Sequence, residues 1–309
     1  MKITKLSMQN FRGFEHRAIQ FSEGFNVVVG ANGTAKTAVL DALAIGIGRL
    51  YEPLNQNLQD SDVRRVRKLQ EGLVYPEPRH PMSLDLEATP IGREQSEPLR
   101  WSRTLGDIPQ GKDVLIQVIG GPRASHPFTS ELVSRAYQGG DLPCLVYYRA
   151  ERFQRAGYDV AWTGGTTVER FDGYRGSLSR ALDEKQIVEW FRRMEFRALK
   201  TQDPNAQLEG VRQALLACFE DCEKVEVDPD FEGLQAVFKD KPPLAFRMLS
   251  DGYRSMLIMV ADIALRASVL NPHLGSEAPP TILILIYPKR VFNFPRPVSN
   301  CGHSMTYSI

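Results

Sequence analysis

Residues 26–37 read NVVVGANGTAKT, in which an apolar run leads through a glycine-rich turn to a Lys-Thr pair. A strand, a tight turn and a helix start in this order are typical of a phosphate-binding loop. Gly30 and Gly33 let backbone N–H groups point inward at phosphate oxygens, and the start of the helix adds positive partial charge. The alternative interpretation is an ordinary strand–turn–helix with a chance Lys-Thr pair.

Three side chains of this loop carry specific predictions. Lys36 is predicted to reach the β- and γ-phosphates of ATP, and the Thr37 hydroxyl is predicted to hold Mg²⁺. Ala35 stands where the motif has its second glycine, so its methyl group crowds the loop, or strains the backbone if φ must be positive. The predicted nucleotide-binding residues of the loop are Gly30, Ala31, Asn32, Gly33, Thr34, Ala35, Lys36, Thr37 and Ala38.

The composition fits a soluble α/β protein. Of 309 residues, 42% are apolar and 24% are charged, and the formal net charge of +1 gives no global argument for binding nucleic acid. No apolar run is long enough to span a membrane, and the first residues do not form a signal peptide. Four cysteines without a CxxC pair indicate a reducing compartment. We therefore expect a cytoplasmic protein without a membrane partner.

Periodicity along the chain predicts an alternation of strands and helices. Residues 2–11 alternate as a strand, a turn follows at 10–14, and residues 18–21 return. Further strands are predicted over residues 82–88, 99–104, 142–148, 225–227, 234–238 and 281–286. Helices are predicted over residues 38–50, from 176 to about 200, and over 206–222. On the last helix Cys218 and Cys222 would share a face, as small buried hydrophobes rather than zinc ligands.

Two basic segments leave alternatives open. The run at 62–68, which contains three arginines and a lysine, is either a DNA-facing patch or a solvated face. Arg149 and Arg152 follow the predicted strand at 142–148. They are candidates for phosphate or DNA contacts, or for ion pairs with Glu151 and its neighbours.

A second candidate site lies at Leu249, Ser250, Asp251 and Gly252, directly before an apolar helical pattern. Ser250 is a strong helix N-cap, and the Gly252 N–H lies where the helix dipole can meet a phosphate. By itself a Ser-x-Gly sequence indicates only a plain cap. Far downstream of a phosphate loop and of the Asn-Phe-Arg-Gly sequence at 10–13, the same element becomes a specific signal.

These elements together resemble the SMC/RecF-type ATPases, the heads of the ABC class. The resemblance is carried by ITKLSMQNFRGF at 3–14, by the phosphate loop and by LSDG at 249–252. It implies that Arg12 approaches the nucleotide's phosphates, where the alternative is a surface arginine in a hairpin turn. It also implies that the LSDG element contacts the γ-phosphate held by a partner subunit, so that ATP joins two heads face to face as a homodimer.

The resemblance also implies the architecture. The expected fold is an α/β P-loop NTPase of ABC-ATPase type, with a mixed central sheet, an antiparallel β layer and a short helical insertion. The expected division is an N-terminal ATPase lobe at 1–175, a helical insert at 176–224, a C-terminal lobe at 225–286 and a tail at 287–309 outside the family pattern. The insert lacks the sustained heptads of a coiled-coil arm.

The end of the chain departs from the family pattern. The strand at 281–286 should end in Asp-Glu, in which the Asp orders Mg²⁺ and the Glu polarises the attacking water. Here Tyr287 and Pro288 follow it, and no acidic residue occurs after Glu277. The family's later switch histidine is absent, and His303 is read as incidental. A truncated or frameshifted reading frame after about residue 286 would explain this change, and ATP hydrolysis is left undecided.

The closest resemblance is to small AAA family ATPases of bacterial antiphage systems, the PtuA group of Septu and retron-linked relatives among them. It implies an HNH-type nuclease as partner, with MgATP as the ligand. Two alternatives remain. One is a RecF-like repair or recombination ATPase that itself binds DNA, and the other is a nucleotide-binding regulatory module without turnover.

Overall fold

In the computed structural model the chain divides into two compact units, Met1–Ser134 with Phe292–Ile309, and Arg135–Val291. The structure describes residues 2–22, 24, 26–31, 33–48, 58–70, 72–89, 98–106, 138–148, 170–178, 184–201, 205–219, 221–228 and 233–274, and the backbone of strands at 281–285 and 307–308. No helix among these residues has the length and apolar character that crossing a membrane requires.

The first unit is built on an antiparallel sheet beside one helix. Its elements are β1 (Lys2–Phe11), β2 (Phe14–Gln20), β3 (Val28–Val29), α1 (Lys36–Ile47), β4 (Arg65–Gln70), β5 (Leu73–Pro78), β6 (Met82–Thr89), β7 (Leu99–Leu105) and β13 (Tyr307–Ser308). The four-stranded sheet has the order β2-β1-β6-β7. β4 and β5 form a separate hairpin, and β13 pairs in parallel with β3. The predicted strands at 2–11, 82–88 and 99–104 are confirmed.

Helix α1 packs tightly on this sheet. Alternate residues of β6, such as Leu84 and Leu86, are fully buried, as a half-buried strand requires. A Cβ on Gly46 would lie 2.4 Å from a Leu86 methyl carbon, so any other residue would force the buried Leu86 side chain to shift. Trp101 Nε1 donates to the Gly46 carbonyl at 2.9 Å, and Arg103 donates to Ile45 at 2.6 Å. Strand β7 thereby satisfies carbonyls that the last turn of α1 leaves without helical partners.

The second unit contains the remaining elements. These are β8 (Cys144–Tyr148), α2 (Glu184–Thr201), α3 (Ala206–Leu216), β9 (Cys222–Val227), β10 (Leu234–Phe238), β11 (Leu244–Ala245), α4 (Asp251–Leu270) and β12 (Thr281–Leu285). All five residues of β8 are buried, and β12 pairs with it in parallel. β9, β10 and β11 form an antiparallel sheet, which includes the predicted hairpin.

A buried charged network fixes α4 against β8. The Tyr148 hydroxyl donates to Asp262 at 2.7 Å, and Arg266 Nε donates to the same carboxylate oxygen at 2.8 Å. Arg266 also donates to the carbonyl of Gly173 at 2.9 Å. Burial, with the Asp262 charge beside it, raises the pKa of Tyr148, and burial raises the pKa of the Cys144 thiol to about 12. Cys144 is therefore an inert core residue.

Helix α1, predicted over 38–50, spans Lys36–Ile47, and two further helix boundaries differ more from the prediction. The helix predicted over 206–222 ends at Leu216, and Cys222 begins β9, so Cys218 and Cys222 do not share a helix face. The reason is tertiary: Phe219 packs against Phe238, Phe246 and Tyr253, with ring centroids 5.7–6.0 Å apart, and Asp221 reverses the chain at φ 59°.

The helix predicted from 176 begins later, at Glu184. Gly176 has φ 64°, which lies outside the right-handed helical region. A 3₁₀ turn over Arg170–Tyr174 precedes it. The expected buried face is present once the helix has started, with Ile187, Trp190 and Phe191 in the core.

Candidate functional site

The phosphate-loop sequence forms the predicted strand–turn–helix. Strand β3 ends directly before Gly30, and α1 begins at Lys36. Gly33 has φ 85°, and a Cβ placed on it would meet no atom within 4 Å, so this side of the turn faces open space. Ala35 has φ 60° and ψ 22°. This positive φ strains the backbone of a residue with a Cβ, as expected if the loop requires a left-handed conformation here. Asn32 lies outside the described residues.

The start of α1 is electropositive. Among the described residues no side chain caps it, and its first turn contains no acidic residue. Its first helical hydrogen bond runs from Val39 N–H to the Ala35 carbonyl at 3.3 Å, so the N–H groups before Val39 point beyond the helix. The Thr37 side chain is exposed in this first turn. A helix start of this kind attracts an anion, and an exposed hydroxyl suits a Mg²⁺ ligand.

Lys36 folds back over its own loop. Its Nζ donates to the Gly30 carbonyl at 2.8 Å and also to the Ala31 carbonyl. The Thr34 hydroxyl donates to the Ala31 carbonyl as well, at 2.8 Å. The ammonium charge is therefore held at the loop. The residues present fit a bound phosphate, because a charge, a helix dipole and an open turn coincide.

Arg12 lies beside this loop. It occupies the turn between β1 and β2 at φ 49°, and the Cβ position of the next residue, Gly13, lies 3.7 Å from the Ala35 Cβ. Its guanidinium donates to Asp62 from Nε at 2.9 Å and forms an ion pair with Asp41. Burial lowers the pKa of Arg12, but hydrogen bonds and charges from Asp41 and Asp62 outweigh it, and the net pKa is raised. Arg12 is thus a fixed cation at the loop.

Sequence reasoning missed both partners of Arg12. Asp41 is an acidic residue on the otherwise apolar buried face of α1, and a carboxylate in that position indicates a paired charge. This signal was present in the sequence. The sequence gives no comparable indication that Asp62 pairs with Arg12, because Asp62 is the first residue of a segment in which most side chains are basic.

The basic run at 62–68 leads into β4 and includes the first four residues of that strand. Three of its four cations pair with acidic neighbours: Arg64 with Glu15 at 3.2 Å, Lys68 with Glu77 at 2.6 Å, and Arg65 with Asp60. These pairs reduce the positive charge that the run offers to DNA. Arg149, Glu151 and Arg152 lie outside the described residues.

The LSDG element forms the start of α4. Ser250 is the N-cap, and its hydroxyl accepts the Tyr253 N–H at 3.4 Å, which confirms the predicted cap. Asp251 and Gly252 are exposed in the first turn, and open space surrounds Gly252. Arg254 forms an ion pair with Glu184 of α2. The phosphate loop belongs to the first unit and the LSDG element to the second.

The strand that should carry the acidic pair is present as β12, paired from Thr281 opposite Cys144 to Leu285 opposite Tyr148. The residues that follow it, 286–306, lie outside the described part of the chain. Within the described residues no three His, Cys, Asp or Glu side chains form a metal-binding cluster.

Comparison with known families identifies this architecture. Residues 5–223 match the family AAA_23, which is described as an AAA domain. The match contains the phosphate loop, Arg12 and helix α1, and it extends over most of the chain. This chain belongs to the AAA_23 family.

Individual relatives of this AAA_23 protein are more distant. The DNA replication and repair protein RecF of Salmonella paratyphi B is 39% identical over 75 residues, which cover 24% of this chain and 19% of that protein. The chain therefore spans about a fifth of the length of this relative. The predicted relation to the ABC, SMC and RecF type of ATPase head is confirmed by the family and by this similarity.

Two SMC head structures also align with the AAA_23 protein over 92% of its length and 89% of theirs, at 13% identity. One is an SMC head bound to the C-winged helix domain of ScpA, with a TM-score of 0.48. The other is the SMC head domain from Thermotoga maritima, with a TM-score of 0.43.

Proposed function

We propose that this chain is the ATP-binding head of an SMC/RecF-like ATPase and that its phosphate loop binds MgATP. The observation that carries the proposal is the packing of the Arg12 turn beside Ala35, at the uncapped start of α1. Two cations, Lys36 and Arg12, then flank an open turn whose helix dipole also favours an anion. Lys36 contacts the terminal phosphates, and the Thr37 hydroxyl contacts Mg²⁺, which would supply further positive charge to the phosphates.

We further propose that ATP joins two copies head to head. In this arrangement Ser250 and Gly252 of one copy contact the γ-phosphate held by the loop of the other. The exposure of Asp251 and Gly252 at the start of α4 supports it, because a contact in trans needs a helix start that is open to solvent.

The cellular role is proposed from the sequence resemblance: antiphage defence beside an HNH-type nuclease, in the cytoplasm. A RecF-like role on DNA is the second candidate, which the similarity to RecF favours. Reversible binding to duplex DNA with a steep salt dependence would support the second role. The presence of a gene for an HNH nuclease beside this one would support the first.

The testing experiment measures mass by light scattering with and without MgATP. We expect the wild-type protein to shift toward a dimer with MgATP. Ser250→Arg should block the shift, because a long cation fills the contact, while a fluorescent ATP analogue still binds the monomer. Lys36→Ala should block both. A dimer that ignores ATP and the Ser250 substitution contradicts the head-to-head arrangement, and ATP binding that is indifferent to Lys36 contradicts the phosphate-loop assignment.

A further inference from the structure

The two carboxylates that hold Arg12 are themselves rigidly placed. Asp41 lies on α1, one turn beyond Thr37, with its side chain 5% exposed. Asp62 closes a 3₁₀ turn over Asp60–Asp62, where its Oδ2 accepts the Gln59 N–H at 3.0 Å. Its side chain is 6% exposed. Both oxygens that contact Arg12 therefore have little freedom to move.

The backbone around Asp62 is also fastened to the Arg12 turn. The Arg12 N–H donates to the Asp62 carbonyl at 2.7 Å, and the Arg64 N–H donates to the Asn10 carbonyl at 2.8 Å. Phe11 and Val63, both buried, form a β-bridge between the two segments. The Phe11 ring lies 5.2 Å from the Arg12 guanidinium carbon. The arginine is thus oriented by its backbone, a ring and two carboxylates.

The carboxylates contact only part of the guanidinium. Its Nε and Nη2 lie 2.9 and 2.8 Å from Asp62 Oδ1, and its Nη1 pairs with Asp41. Of the five N–H groups of an arginine, three are directed at the carboxylates, which leaves one on each terminal nitrogen. The Arg12 side chain is 31% exposed. These two N–H groups can donate to a phosphate.

We propose that Asp41 and Asp62 are positioning residues, which hold Arg12 in the orientation that contacts the phosphates of bound nucleotide. The proposal rests on the proposed function, since it needs nucleotide in the phosphate loop. A positioning role differs from a role in stability alone, because each aspartate then affects nucleotide affinity only through Arg12. An aspartate that only stabilises the fold would affect folding, or would affect affinity whether or not Arg12 is present.

A double-mutant cycle on affinity separates these roles. Asp62→Asn is measured alone and with Arg12→Ala, with a fluorescent ATP analogue and Mg²⁺ as the probe. We expect Asp62→Asn to weaken binding about fivefold when Arg12 is present and to have almost no effect once Arg12 is alanine. Asp62→Glu keeps the charge and should restore part of the loss. Asp41→Asn provides an independent second arm if Asp62→Asn folds poorly.

Asp60→Asn is the matched control. Asp60 lies in the same 3₁₀ turn, but its carboxylate is 71% exposed and pairs with Arg65 instead of Arg12. It should leave affinity unchanged. Equal losses with and without Arg12, or tighter binding in Asp62→Asn, overturn the positioning role. Lys36→Ala is run in parallel: if wild type and Lys36→Ala bind alike, the proposed function fails as well, whereas Lys36-dependent binding without Arg12–Asp62 coupling removes only this inference.

Discussion

The two helices that begin at the candidate motifs start in opposite ways. Helix α1 begins at a left-handed Ala35, without a side-chain cap among the described residues and without an acid in its first turn. Helix α4 begins at Ser250, whose hydroxyl caps it, and Asp251 adds a negative charge. The positive end of the α1 dipole is therefore available to an external anion, whereas the Ser250 hydroxyl and the Asp251 carboxylate compensate part of the positive charge at the start of α4. Of these two helix starts, α1 therefore has the less compensated positive charge.

A second contrast concerns the aspartate that each helix carries in its buried face. Asp262 of α4 pairs with Arg266, whose side chain is 7% exposed and which also donates to the carbonyls of Gly173 and Arg175. Asp41 of α1 pairs with Arg12, which is 31% exposed. The same kind of Asp–Arg ion pair is therefore buried in the core of the second unit, whereas in the first unit its arginine is partly exposed to solvent.

The largest expected effect concerns turnover, because the first turn of α1, at the phosphate loop, contains no acidic residue that could activate water. Asp41 pairs with Arg12, and no acidic residue occurs in this sequence after Glu277, which precedes β12. Loss of a positioned base typically lowers rates about 10²–10⁴-fold, so the chain should bind ATP and hydrolyse it hardly at all. A steady-state phosphate-release assay measures this. Lys36-dependent turnover of roughly 1 per second or faster would show that a carboxylate elsewhere acts as the base.

Lys36→Ala should have the next largest effect. Two charge-assisted contacts to phosphate are lost from a preformed loop, so affinity for an ATP analogue should fall about 100-fold. Titration of analogue fluorescence measures it. Lys68→Ala is the control, because that lysine pairs with Glu77 on the exposed hairpin and should change affinity little. If Lys36→Ala and Lys68→Ala have similar affinities, Lys36 does not bind phosphate and the start of α1 is an ordinary helix N-terminus.

Ser250→Ala tests the capped helix. Removal of the N-cap oxygen should lower the free energy of unfolding by about 1 kcal/mol, as measured by urea denaturation. Ser255→Ala is the control within the same helix, because its hydroxyl bonds to the Asp251 carbonyl of that helix and alanine is the better helix former. If Ser250→Ala is as stable as Ser255→Ala, then α4 is not held by its cap.

Ala35→Gly should have the smallest effect. Glycine removes the strain of the left-handed conformation but adds freedom to the unfolded chain, so we expect a net gain of roughly 0.5–1 kcal/mol. Nucleotide affinity should be equal or tighter. Ala42→Gly in the interior of α1 should instead lose about 1 kcal/mol or more. A large loss of stability or affinity in Ala35→Gly would show that the methyl group has a packing role at the loop.

Much of the fold could be predicted because its signals are local. The alternation in β1 and β6, the hairpin of β9 and β10 and the cap at Ser250 each depend on residues a few positions apart. The end of α3 could not be predicted in this way. The pattern continued to residue 222, but the contacts of Phe219 with three distant aromatic rings ended the helix at Leu216.

The candidate site divides along the same line. The turn, the position of Lys36 at the start of α1 and the unusual Ala35 could be predicted from the sequence, since these follow from glycine spacing and backbone sterics. The surroundings of Arg12 depend instead on how distant segments pack. Its carboxylate partners, Asp41 and Asp62, lie 29 and 50 positions away in sequence. The packing of a helix and a 3₁₀ turn brings these charges close to Arg12, and the spacing of residues along the sequence does not reveal such a contact.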